Sequence, residues 1–153
     1  MRTPSQTVGP YYAIGLCRDL GNELDPDGVT LEGKLIDGQG EPINDGLIEL
    51  WDAVGRRWGR SGTDADGRFS FRVSKPNGDG APFLYAYVHA RGLLRHQLTR
   101  VYFPDEPEAN DADPVLAALD ADDRATLVAR EDGDGLRFDI RMQGDHATVF
   151  FAH

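Results

Sequence analysis

The sequence predicts an all-β fold, an antiparallel β-sandwich with one short helix. Three observations carry that expectation. Eighteen glycines and nine prolines punctuate the 153 residues at short intervals. The apolar residues between them alternate with a period of two. A helical pattern occurs once, and it is short.

Taken in order, Val29 to Ile36 places Val29, Leu31, Gly33 and Leu35 on one face and ends in Asp37-Gly38-Gln39-Gly40. Gly46 to Trp51 is the next strand. Asp64-Ala65-Asp66-Gly67 is a turn leading into Arg68 to Ser74. Phe83 to Ala90 and Gln97 to Phe103 pair around Arg91-Gly92. Leu136 to Met142 and Ala147 to Phe151 flank Gln143-Gly144-Asp145, a tight hairpin signal. The one helix is Asp113 to Leu119, with Asp113 ahead of Pro114 in the first turn. The acidic run from Pro104 to Asp113 reads as a solvated loop.

The strand from Phe83 is unusual. Leu84, Ala86, Val88 and Ala90 make a small aliphatic face suited to a sandwich interior. Phe83, Tyr85, Tyr87, His89 and Arg91 fall on the other face. Such a surface is costly in water and calls for a partner subunit, a ligand or a second layer from the chain's own loops.

Length and a 40% hydrophobic share suffice for one buried core. The 16 Lys and Arg against 26 Asp and Glu give a net charge of −10, which excludes a nucleic-acid or anionic-membrane partner. A small anion remains possible, because one local Arg can hold a carboxylate. No apolar run is long enough to span a bilayer and no leader pattern begins the chain, so a cytoplasmic location is expected. Cys17 stands alone, a small hydrophobe or an inert thiol.

Catalytic patterns are missing. His89, His96, His146 and His153 include no HxH or HxxxH pair. His89 and His96 flank a turn and can converge, but no carboxylate pattern completes a metal site. The serines lack a glycine-flanked elbow, and Gly9-Pro10 is no phosphate loop. These residues alone describe an acidic β-sandwich with an aromatic face.

Several stretches, read together, resemble the alpha chains of the intradiol ring-cleaving dioxygenase family. They begin with Thr3-Pro4-Ser5-Gln6-Thr7-Val8-Gly9-Pro10-Tyr11-Tyr12 and Ile14-Gly15-Leu16. They continue through Gly46 to Trp51, Ala90-Arg91-Gly92-Leu93-Leu94 and Thr99 to Pro104, and end in Thr148-Val149-Phe150-Phe151. The resemblance runs in order from residue 3 to residue 151.

It implies an arm over residues 1–28, reaching toward a partner subunit, and a sandwich core over 29–153. It further implies an alpha/beta heteromer of higher order, in which the beta chain holds a non-haem Fe(III) through two Tyr and two His. The implied reaction opens protocatechuate, a small aromatic substrate, with dioxygen to 3-carboxy-cis,cis-muconate. The family's metal-binding chains carry H-I-H where this sequence reads Phe83-Leu84-Tyr85. Their ligand tyrosines belong near Arg57-Trp58-Gly59 and in the loop Asn77-Gly78-Asp79-Gly80, which has no tyrosine. No metal or catalytic residue is therefore expected here. The resemblance assigns Thr7, Gly9, Pro10 and Tyr11 to the wall of the substrate pocket. Arg91 is the candidate cation beside it, or else a member of an ordinary ion pair. Two other readings stand beside this one: an alpha-like chain acting on a different catechol, and a non-catalytic binding module that uses the aromatic face.

Overall fold

Residues 2–17 and 21–152 are described by the structure, a computed structural model; Met1, residues 18–20 and His153 lie outside them. Among the described residues nine strands build two sheets. Strands β1 (Val29–Ile36), β2 (Leu47–Asp52), β3 (Arg57–Gly62), β4 (Arg68–Val73), β5 (Phe83–His89) and β6 (Gln97–Tyr102) are followed by three short helices. These are α1 (Pro107–Ala112), α2 (Pro114–Ala117) and α3 (Ala121–Ala125), after which come β7 (Arg130–Asp132), β8 (Gly135–Arg137) and β9 (Ile140–Arg141). One sheet runs β4-β1-β8-β7, with β9 also paired to β1; the other runs β3-β2-β5-β6.

The all-β sandwich expected from the sequence is the fold observed. Pairing between its strands is antiparallel except where β1 runs parallel to β8 and β9. Several features differ from expectation: β3 and α3 are additional to the strands and the one helix expected, with α3 capped by the Asp120 side chain accepting from the Asp123 amide. The acidic run is not a loop throughout, because Pro107–Ala112 coils into α1. Asn110 is buried there and its amide donates to the Phe103 carbonyl at 2.8 Å. Lys75 ties the entry of α1 down through ion pairs to Asp105 and Glu106 at 2.5 and 2.6 Å. The C-terminal hairpin also does not form. Leu136 to Met142 breaks into β8 and β9, since the Phe138 amide donates to the Glu32 carbonyl and the Asp139 carboxylate takes the Lys34 amide. The chain end then leaves this sheet, and Phe151 bridges to Leu98 in the other.

The expected helix forms as α2. The Asp113 side chain accepts from the amides of Val115 and Leu116, and Pro114 occupies the first turn.

The core lies between the sheets. Leu31, Leu35, Phe71 and Val73 from one meet Ile48, Leu50, Leu84, Ala86 and Val88 from the other, all nearly free of solvent. Each Leu, Ile, Val or Phe among them contributes about 1.5–3 kcal/mol over its exposed state. Gly33, at the centre of β1, is there for close approach. A Cβ would stand 1.9 Å from the Phe138 carbonyl oxygen and 2.4 Å from the Phe69 ring.

Candidate functional site

The β3-β2-β5-β6 sheet turns one face outward. Its register sets Trp58 beside Trp51, Trp51 beside Tyr85, and Tyr85 beside Arg100. The next row is Arg60, Glu49, Tyr87 and Leu98. Phe83, Tyr85, Tyr87 and His89 are half-buried, because the chain's own residues lie across them. Chief among these is Arg100. Its guanidinium sits 4.2 Å from the centre of the Phe83 ring, 5.3 Å from Phe151 and 5.6 Å from Tyr85. Phe83 and Tyr85 meet edge to face at 5.0 Å.

Arg100 donates to the Tyr102 hydroxyl at 2.9 Å, and that hydroxyl donates to the Asp113 carboxylate at 3.1 Å. The cluster is thereby joined to the cap of α2. Sequence reasoning did not single out Arg100. The signal was present, since the alternation of Gln97 to Phe103 puts Leu98, Arg100 and Tyr102 on the aromatic side.

Burial raises the Tyr102 phenol to about 12, against the pull of Arg100. Burial, and then the Asp45 carboxylate, push the Tyr12 phenol up as well. Below pH 10 both rings are protonated folded or unfolded. Above it the unfolded chain releases protons that the fold retains, so stability falls as pH rises from 10 toward 12. Chemical denaturation across that range should show this decline, and Tyr102→Phe should flatten it.

The N-terminal arm is tied to the start of the β5–β6 connection. The Thr7 hydroxyl accepts from the Gly92 amide at 2.7 Å, and the Tyr12 hydroxyl donates to the His89 carbonyl at 2.7 Å. Gly92 holds φ +87°, a left-handed turn that favours glycine. Between the two ties, Gly9-Pro10-Tyr11-Tyr12 makes a β-turn, with the Tyr12 amide donating to the Gly9 carbonyl at 3.2 Å and Pro10 in the position its fixed φ suits. Tyr11 projects from this turn, 77% exposed. An added Cβ at Gly9 would meet nothing of this chain within 4 Å. The structure thus brings Thr7 beside Gly92, next in sequence to Arg91. It places Gly9, Pro10 and Tyr11 in the open turn above.

Arg91 forms an ion pair with Asp45 through its Nε, while its side chain stays 57% exposed. Asp45, like Tyr12, was not foreseen from the sequence. Cys17, in the N-terminal segment, lies beside Gly62, and burial raises its thiol against the opposing pull of Arg60.

A ferric ion does not fit this chain. Phe83 and Tyr85 pack on each other, and the Arg100 guanidinium beside them carries a positive charge that would repel a trivalent cation. Arg57 is committed to Asp52, at 2.8 Å, and to Asp25. Trp58 stacks under Arg60 at 4.7 Å, and Leu24 fills the space above Gly59. Among the described residues no three His, Cys, Asp or Glu side chains cluster as metal ligands.

No family model matches the sequence. It is 41% identical to the protocatechuate 3,4-dioxygenase alpha chain of Burkholderia cepacia, over 98% of this chain and 96% of that one. The chain belongs to the family of protocatechuate 3,4-dioxygenase alpha chains. The aligned length of 191 exceeds its own 153 residues, so segments of that relative are missing within it. The protocatechuate 3,4-dioxygenase beta chain of the same organism is 27% identical over 78% of this chain and 66% of its own length. An alpha and a beta chain of common descent point to an alpha/beta partnership.

Among solved structures, a similar fold is the dioxygenase domain of a dioxygenase and carbohydrate-binding protein fusion from Streptomyces sp. SirexAA-E. It shows a TM-score of 0.62 and 25% identity, covering 93% of this chain and 98% of that domain. The family is one of oxidoreductase subunits. No helix among the described residues is long and apolar enough to cross a membrane.

Proposed function

We propose that this chain is the pocket-shaping, metal-free subunit of an enzyme that opens protocatechuate with dioxygen, between its two hydroxylated carbons, to 3-carboxy-cis,cis-muconate. The ferric ion that supplies the redox chemistry belongs to the beta partner, and the arm of this chain reaches that partner's site. The observation that carries the reading is the presentation of Tyr11. A large aromatic side chain, held out by a turn whose two sides are tied to the sandwich, has no use within its own chain. It is suited to cover an aromatic ring held by another subunit.

Gly9 leaves room for a close neighbour, and Pro10 removes an amide donor that an apolar ring could not satisfy. The Thr7 tie to Gly92 sets the distance between this wall and the Arg91 guanidinium. Arg91 is half-neutralised by Asp45 and keeps donors free for a carboxylate.

The test is steady-state dioxygen uptake by the complex of this chain with its beta partner. Tyr11→Ala should lower kcat/KM for protocatechuate by roughly ten- to a hundred-fold, the equivalent of about 1.4–2.8 kcal/mol of lost contact. Iron content and assembly should stay intact. Arg91→Ala should penalise protocatechuate more than catechol, which lacks the carboxylate. Unchanged kcat/KM in Tyr11→Ala would refute the pocket role. If Arg91 serves only its pair with Asp45, both substrates will suffer alike.

A further inference from the structure

The chain has four asparagines, and their surroundings differ in what they leave the side-chain amide free to do. Asn22 is half-buried and donates to the Ser70 carbonyl at 2.8 Å, while its backbone carbonyl accepts from the Arg72 amide at 3.1 Å. Asn110 is buried in α1 and donates to the Phe103 carbonyl at 2.8 Å. Asn44 is exposed, but Asp45 follows it and is held by Arg91. Asn77 alone is followed by a glycine.

Asn77 lies in the connection between β4 and β5, where Asn77, Gly78, Asp79 and Gly80 are all exposed. Among the described residues no hydrogen bond holds the backbone or side chains of these four. With no Cβ, the Gly78 nitrogen can swing against the Asn77 side chain through backbone angles that other residues resist. An exposed, unbonded loop tip reaches such conformations at little cost in free energy.

We infer that Asn77 is a site of spontaneous deamidation in the folded protein. The Gly78 backbone nitrogen attacks the Asn77 Cγ and closes a succinimide ring. The side-chain nitrogen leaves as ammonia, taking the proton that the Gly78 amide gives up. Water then adds at one of the two ring carbonyls. Opening at Cγ leaves an ordinary aspartate. Opening at the backbone carbonyl leaves an isoaspartate, whose main chain runs through Cγ and is one carbon longer.

Either product adds a negative charge. The new carboxylate enters the depression that Asn77 shares with Lys75 and Glu106, where it competes with Glu106 for the ammonium that ties down the entry of α1. The longer isoaspartyl backbone also shifts Gly78, which rests against Val54 and lines with it a small cavity beside Phe83 and Tyr85.

The experiment is peptide mapping by mass spectrometry of the purified chain, or of its complex where the two copurify, held folded in mildly alkaline and mildly acid buffers. Peptides carrying Asn77 should gain aspartate and isoaspartate, faster in alkali, where the Gly78 amide gives up its proton more readily. Those carrying Asn22, Asn44 and Asn110 should stay intact. The free peptide Lys-Pro-Asn-Gly-Asp-Gly sets the reference, and Asn77 in the folded protein should react within about ten-fold of its rate. Asn77→Gln should abolish the more acidic species on anion exchange, because its longer side chain closes the ring poorly. Asn77→Asp should coelute with the aspartyl fraction of that species. Protection of Asn77 beyond that margin, or conversion of Asn44 at an equal rate, would overturn the assignment.

Discussion

Purified without its partner, the chain is expected to be colourless and to contain no stoichiometric iron. Coexpression with the beta chain should yield a ferric, tyrosinate-coloured complex. The physical ground is the Phe83, Tyr85 and Arg100 cluster. Neither ring offers a neutral imidazole, and a guanidinium already supplies the positive charge that the π faces can accommodate. The two-histidine variant Phe83→His with Tyr85→His should still bind little iron while Arg100 remains. Adding Arg100→Gln should raise uptake, because the cationic competitor is gone. Elemental analysis distinguishes these results, and stoichiometric iron in the unaltered chain would sink the assignment.

Gly33→Ala should cost about 3 kcal/mol or more, a large part of the stability of an ordinary domain. The new methyl would collide with the backbone carbonyl of Phe138, which cannot swing aside as a side-chain tip can. That carbonyl belongs to the segment that joins β8 to β9, and the Phe138 amide is fixed to Glu32. Relief therefore requires the C-terminal strands to move off β1. Urea denaturation should show the loss. A midpoint equal to the parent's would mean that the sheet can open at this point without penalty.

Where alternation was strong, the sequence was legible. Leu84, Ala86 and Val88 of β5 all turned inward, as did Leu31, Gly33 and Leu35 of β1. Val29 on the same row is exposed, because β1 begins at the rim of the sheet. Strand β3 escaped notice. Its Arg-Trp-Gly-Arg-Ser-Gly run lacks branched aliphatics, and Gly59 is small because Leu24 packs there from the segment before β1. Helix α1 was hidden by acidity, since one buried Asn110 and the Lys75 pairs hold it, and neither has a periodic signature. The hairpin signal at Gln143-Gly144 was genuine as a turn, with Gly144 at φ +89°. The strands it should have joined meet at Arg141 and Thr148, where the Arg141 amide donates to the Thr148 hydroxyl and the Thr148 amide to the Arg141 carbonyl, but the Asp139 carboxylate takes the Lys34 amide and draws the first of them to β1.

At the candidate site, the arm motif and Arg91 were proposed from the sequence. Their mutual placement could not, because it depends on two hydrogen bonds that span 85 and 77 positions.

The parallel pairing of β1 with β8 and β9 has a consequence for biosynthesis. Leu31 finds its neighbour at Leu136, and Leu35 at Ile140, so the first strand to leave the ribosome waits for nearly the last. The sheet of β1 cannot be completed until β8 and β9 have been made, and pairings at such sequence separation close slowly. During that interval the aromatic side of β5 lacks Phe151, one of its own covering residues. Any encounter with the beta subunit that depends on a finished sandwich must follow the emergence of β8 and β9. A nascent chain stalled before residue 136 should therefore be open to proteases and to chaperones that bind apolar strands.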